Sequence, residues 1–254
     1  MAAAPGLSDF YHLIELDTVG STSDEVARLA RAGAASGTLV VAHSQTNGHG
    51  RLGRSWISPA GNLYFSLLLR PACRVGEAVQ LTFVAAVALA DALSAVLPAD
   101  RTIACKWPND VLVGGRKIAG ILLESEADGH GRVESLVIGI GVNVSSHPAP
   151  EAVMYAATSI HAEGAADETA HSTLGLFCHA FQRRYDEWQS LGFEAVRAAW
   201  LSRADKLHQR IEVGLDAGTV AGTFVGLDGS GAMVLEEGAK RRLILAGDVL
   251  PSAA

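Results

Sequence analysis

The sequence predicts an α+β protein, with a mixed β-sheet flanked by helices over residues 1–204 and a small β-barrel over residues 205–254. Two patterns carry this. Up to about residue 201, apolar runs with strand-like alternation are interleaved with stretches of helical spacing. Beyond Asp205 the pattern changes to short β-runs at 210–213, 219–226, 232–235 and 241–245. They are separated by Asp216-Ala217-Gly218, Asp228-Gly229 and Glu237-Gly238, and turns at that interval describe a barrel.

In chain order, residues 12–16 alternate like a strand. Val19-Gly20-Ser21-Thr22-Ser23-Asp24-Glu25 then leads into Val26, Ala27, Leu29 and Ala30 at helical spacing. Ser21 or Thr22 suits an N-cap, and a helix N-terminus with free N–H groups also binds polar ligands, so both uses are open. Residues 38–44 form a strand, 62–69 a β-rich run, and 77–97 a long apolar helix. Asp91 interrupts that helix, which reads as a buried core element and not a membrane span. Residues 102–113 and 116–124 are two apolar strands turning at Gly114-Gly115, with Lys106, Asn109, Asp110 and Lys117 as a polar knot between them. Residues 136–143 read as a buried strand whose glycines allow close approach, and Asn143 either meets a base or satisfies a turn. Residues 145–170 read as a loop with a short helix. Helices are predicted over 172–191, with Leu176, Phe177, Ala180, Phe181, Tyr185 and Trp188 as the core stripe, and over 193–201.

Composition narrows the function. A formal net charge of −7 argues against a general nucleic-acid or anionic-membrane binder. Three cysteines without metal-type spacing fit a reducing compartment, and the N-terminal residues lack a signal-peptide pattern, so the expectation is a cytoplasmic protein. Lysine occurs only at 106, 117, 206 and 240 and asparagine only at 47, 62, 109 and 143. All four asparagines and the first two lysines fall in or beside the glycine-rich segments, where their chemistry is most needed.

The stretch 45–70 organises the chain. Gly48, Gly50 and Gly53 free the backbone for positive φ and close approach, and Arg51 and Arg54 offer planar forks for phosphate or carboxylate. An anion site and a plain surface loop both fit this stretch alone. The glycines also match a dinucleotide-binding fingerprint, but that pattern needs a helix at the last glycine. Here Arg54-Ser55-Trp56-Ile57-Ser58-Pro59 follows, which rules the fingerprint out.

Taken together, Gly48-His49-Gly50-Arg51-Leu52-Gly53-Arg54-Ser55-Trp56, Ser58-Pro59, Asn62-Leu63-Tyr64, Lys106-Trp107-Pro108-Asn109-Asp110, Lys117-Ile118-Ala119-Gly120-Ile121-Leu122 and Gly139-Ile140-Gly141-Val142-Asn143 resemble the biotin protein ligase family over about residues 12–250. The resemblance implies a class II synthetase-like catalytic domain and an SH3-like C-terminal domain. It implies activation of biotin by ATP, with Mg²⁺ on the phosphates, to biotinyl-5′-adenylate. Transfer to a lysine of a biotin carboxyl carrier protein domain would follow. It further implies a biotin site of Ser21, Thr22, Ser23, Gln45, His49, Gly50, Arg51 and Lys117, and an ATP site of Arg51, Arg54, Trp56, Lys106, Asn109, Val142 and Asn143. Lys117, Arg51 and Lys106 would be catalytic, and no protein metal ligand is implied. Three departures stand out. His49 occupies an arginine position, which removes a permanent charge and bears on adenylate retention. Asn47 replaces a small apolar residue. Only about a dozen residues precede the first strand, so the DNA-binding domain of bifunctional members, and DNA as a partner, are expected to be absent. The alternatives are a lipoate or octanoate ligase of the same superfamily and a non-enzymatic biotin-responsive regulator.

Overall fold

The structure, a computed structural model, describes residues 7–216 and 218–251. Its main sheet has seven strands: β1 (His12–Val19), β2 (Thr38–Gln45), β3 (Leu63–Leu69), β4 (Ile103–Lys106), β5 (Asp110–Val113), β6 (Arg116–Ala127) and β7 (Val133–Val142). They lie in the order β1-β2-β3-β7-β6-β5-β4; β1 and β2 are parallel and every other pair is antiparallel. The parallel pair needs a crossover, and α1 (Thr22–Arg31) supplies it.

Alternation on the central strands decides what each face becomes. On β3, Leu63, Phe65, Leu67 and Leu69 join the larger core, while Leu68 joins the smaller one under α1. On β7, Leu136, Ile138, Ile140 and Val142 face the larger core, and Val137, Gly139 and Gly141 take the opposite face. The side with the large residues is covered by α3 (Gln80–Val96), α4 (Ala170–Leu191) and α5 (Phe193–Leu201). On the other side α1 covers only part of the sheet with Val26 and Ala30, and the glycine positions leave a floor on which a ligand can lie.

The helices form largely where the sequence spacing places them. α3 is preceded by the short α2 (Val75–Ala78), and twelve of its residues are buried between sheet and helices, so its apolar length is that of a core element. The buried stripe of α4 is Thr173, Leu174, Phe177, Cys178, Phe181 and Tyr185, with Leu176, Ala180 and Trp188 at its edge. One reading changes. Residues 102–113 are two strands and not one, because the chain reverses at Trp107-Pro108-Asn109 and pairs Lys106 with Asp110.

The remaining strands, β8 (Arg210–Leu215), β9 (Gly218–Leu227), β10 (Met233–Glu237), β11 (Lys240–Ile244) and β12 (Asp248–Val249), form an antiparallel sheet ordered β11-β10-β9-β8-β12. Trp200 of α5 is fully buried against Phe83 of α3 and Phe224 of β9, with ring centroids 5.4 and 6.4 Å away, and joins this sheet to the helical layer.

Candidate active site

A cleft of about 460 Å³ opens on the glycine floor. Of the residues singled out from sequence, Ser21, Thr22, Ser23, Gln45, His49, Gly50, Arg51, Arg54, Trp56, Asn109, Lys117 and Asn143 line it. Two do not. Lys106 lies behind Asp110 and Tyr155, and the Val142 side chain is fully buried in the core, so only the Val142 backbone could meet a nucleotide.

At one end is the N-terminus of α1. Ser21 makes no capping hydrogen bond; the first free N–H, that of Thr22, donates instead to Gln45 Oε1 on β2 at 2.8 Å. Gln45 Nε2 donates to Ser58 Oγ at 3.0 Å, which fixes its amide orientation. The hydroxyls of Thr22 and Ser23 share Ser66 at 2.8 and 3.0 Å. Ser66 is fully buried on β3, a polar residue in an apolar run whose place sequence reading passed over. This end presents neutral hydrogen-bonding groups.

The glycine-rich segment is a tight loop returning on itself. Gly50 N–H donates to the Arg54 carbonyl at 2.7 Å and Trp56 N–H to the Gly48 carbonyl at 2.8 Å. A Cβ on Gly48 would lie 2.6 Å from Ser58 Oγ and 2.7 Å from the Trp56 carbonyl oxygen, so the return needs glycine there. At the tip Leu52 and Gly53 take positive φ, 56° and 70°, whereas Gly50 stays extended at −125°. Of the three glycines only Gly53 therefore uses the left-handed region. The loop lays Trp56 across the floor: a Cβ on Gly141 would lie 2.3 Å from its Nε1 and one on Gly120 3.0 Å from its Cζ3. That Nε1 is buried without a hydrogen-bond partner, an orphaned donor inside the cleft.

At the other end Lys117, Arg51 and Arg54, with Lys106 behind them, meet two carboxylates. Lys117 Nζ lies 2.6 Å from Asp110 Oδ1 and Lys106 Nζ 3.9 Å from Asp110 Oδ2. Asp110 Oδ1 has no directed hydrogen bond, so its contact with Lys117 is Coulombic. Burial lowers Lys106 to about 8 against the pull of Asp110, and its ammonium sits 3.4 Å from the centroid of the Tyr155 ring. Arg51 Nη1 donates to the Gly247 carbonyl at 3.3 Å, Asn109 Oδ1 at 3.4 Å and Asp248 Oδ1 at 3.5 Å; Arg54 pairs with the same Asp248. Asp248 and Tyr155 are site residues that sequence reading missed.

Residues 145–170, read as a loop with a short helix, are a strap with a single 3-10 turn at Pro150–Ala152. Thr158 N–H and the Ala156 carbonyl bracket the Lys117 backbone at 2.9 and 2.7 Å. Asn143 Nδ2 donates to the Thr158 carbonyl at 2.9 Å, so the Asn143 side chain is engaged in holding the strap. The buried Glu163 carboxylate accepts from Thr158 Oγ1 and pairs with Arg116 at 2.7 Å, anchoring the far end.

Residues 18–143 match the biotin/lipoate A/B protein ligase family and residues 206–250 the biotin protein ligase C-terminal domain. A biotin--[acetyl-CoA-carboxylase] ligase of Paracoccus denitrificans is 41% identical over 235 residues, 90% of this chain and 96% of the relative. The bifunctional ligase/repressor BirA of Bacillus subtilis is 35% identical over 94% of this chain and 73% of its own length. Among solved structures, the Aquifex aeolicus biotin protein ligase in complex with biotin and ATP superposes with a TM-score of 0.78 at 30% identity, covering 94% of this chain and 97% of that one. The Leishmania major enzyme in complex with biotinyl-5-AMP gives 0.62 at 29% identity, covering 92% of this chain and 99% of that one.

Proposed function

The chain belongs to the biotin protein ligase family, an ATP-dependent ligase that activates and transfers biotin, and from that premise we propose how its own residues divide the work. The observation that carries the proposal is the polarity of the cleft, neutral hydroxyls and an amide at one end and three cations at the other, with Lys106 behind them. Biotin has the matching asymmetry, an uncharged ureido ring and a carboxylate tail.

Ser21, Thr22, Ser23, Gln45, His49 and Gly50 hold the ring end. Lys117 meets the carboxylate, Arg51 and Arg54 meet the ATP phosphates, and Lys106 adds positive charge from behind Asp110 and Tyr155. Trp56, Asn109, Asn143 and the Val142 backbone border the nucleotide. The carboxylate attacks the α-phosphorus, pyrophosphate leaves, and an amine of the acceptor then attacks the mixed anhydride and releases AMP. Two anions must approach while negative charge grows at phosphorus, so fixed cations and orientation are the main catalytic requirement. Mg²⁺, carried on the ATP phosphates, would add charge neutralisation there. The acceptor is a lysine of a biotin carboxyl carrier protein domain. The match at residues 206–250 favours biotin over lipoate as substrate. We divide the chain into domains near residue 205. Cys73, Cys105 and Cys178, buried free thiols, support a reducing cytoplasmic setting.

The test is biotin transfer to a purified carrier domain with ATP and Mg²⁺, each component omitted in turn. Label is expected only in the complete mixture. Transfer of lipoate or octanoate in place of biotin would overturn the substrate, and no transfer of any of the three would overturn the enzymatic reading.

A further inference from the structure

We propose that Tyr155 is a positioning residue for the nucleotide site: its ring holds the Lys106 ammonium just behind the cleft wall while its hydroxyl ties the same point to the C-terminal sheet. The kinetic arm of this proposal rests on the ligase reading; the geometric arm does not.

Two contacts of Tyr155 and one of its neighbour converge here. Lys106 Nζ lies 3.4 Å from the ring centroid, closer than its 3.9 Å to the Asp110 carboxylate. The phenol donates to the Val249 carbonyl of β12 at 3.0 Å. The next residue, Ala156, accepts the Lys117 N–H at 2.7 Å, so the backbone beside the ring is pinned to the other lysine of the site. A half-buried tyrosine is usually packing. Here, among the described residues, the ring stacks on no other aromatic side chain and belongs to neither apolar core.

The other charged groups around Lys106 come from every element packed on it: Asp110 on β5, Lys117 on β6, Asp205 after α5 and Asp248 on β12. Asp110 is shared with Lys117, Asp205 also faces Lys206, and Asp248 is engaged by Arg51 and Arg54. A buried ammonium with so little carboxylate of its own depends on the negative face of the ring to stay charged. Phenylalanine preserves that face and removes only the hydroxyl. Leucine keeps the burial and removes the face.

The experiment follows lysine side-chain resonances of the full chain through a pH titration, in wild type, Tyr155→Phe and Tyr155→Leu. Only four lysines need assignment. Lys106 is expected to titrate at about 8 in wild type and in Tyr155→Phe. In Tyr155→Leu it is expected roughly one pH unit lower. In parallel, biotin-dependent pyrophosphate release is measured against ATP at several pH values. Tyr155→Leu should raise the KM for ATP roughly fivefold at pH 8 and roughly tenfold above about pH 9 as Lys106 discharges, with the KM for biotin within about twofold of wild type. An unmoved Lys106 titration in Tyr155→Leu, or an equal movement in Tyr155→Phe, overturns the ring contact. Equal rises in both KM values with a lowered Tm would make Tyr155 packing and overturn the positioning role. A wild-type protein without biotin-dependent pyrophosphate release would refute the ligase reading, and the lysine titrations would still decide whether the ring holds Lys106.

Discussion

Lys117 is fixed twice, by its backbone pairing with the strap and by its ammonium contact with Asp110, so its position does not depend on substrate. Preorganisation of this kind makes a fixed charge effective in a low-dielectric site. Lys117→Ala is expected to slow adenylate formation by roughly 10²–10³-fold while leaving the fold intact. Initial rates of pyrophosphate release, with circular dichroism as the control, measure this; an unchanged rate would remove Lys117 from the chemistry. Gly141 makes a steric argument at the same scale. An added Cβ would lie 2.3 Å from Trp56 Nε1, so Gly141→Ala must lift the indole from the floor. We expect the KM for ATP to rise roughly tenfold, since a misplaced positioning group costs that much or more. Emission that Trp56→Phe removes in wild type should be red-shifted in Gly141→Ala. Unaltered emission with an unaltered KM would count against the indole as the nucleotide's border.

Among elements, α3, α4 and α5 are joined through one carboxylate. Asp91 of α3 receives Arg183 and Arg184 of α4 at 2.7 and 3.0 Å, and Arg203, just past α5, at 2.7 Å. Burial opposes its ionisation, but Arg184 and Arg203 together hold its carboxyl below the usual 3.8. A depressed carboxylate contributes stability that is present above its unfolded value and lost as pH falls through its folded value. Asp91→Asn should therefore cost about 2 kcal/mol at neutral pH, with the gap to wild type closing below pH 4. Denaturant unfolding at pH 7 and pH 3 measures both; an equal gap at the two pH values would assign the loss to packing. Asp91 also marks what sequence reading could reach. It was legible as a break in an apolar helix, but the three arginines that explain it lie 92, 93 and 112 residues away. Local periodicity is a property of neighbours, so it placed the helices and most strands. It did not resolve the reversal at Trp107-Pro108-Asn109, because the apolar residues on either side read as one run.

For the whole molecule, the helical layer and the C-terminal sheet share Trp200. Trp200→Ala is expected to cost about 3–5 kcal/mol, because a buried indole is lost at a junction with little freedom to collapse. Thermal unfolding of wild type should be a single transition, and the variant should lose stability in both parts together. A variant that melts in two steps, with the sheet alone affected, would show the junction to be non-cooperative. The glycine-rich loop and the two lysine segments of the site were legible because each is a local cluster. Tyr155 and Asp248 were not, since each sits in an ordinary stretch and acquires its place only when the chain closes. Asp248 has a further consequence. It engages Arg51 across 197 residues of sequence, so a group from the C-terminal sheet is the resident counter-ion where phosphate is proposed to bind. Nucleotide and sheet then compete for one pair of guanidinium groups, and such competition is reciprocal: whatever the sheet subtracts from nucleotide affinity, bound nucleotide subtracts from the seating of β12. Amide exchange at residues 247–250 is expected to quicken when ATP is added, making β12 a sensor of the occupied cleft.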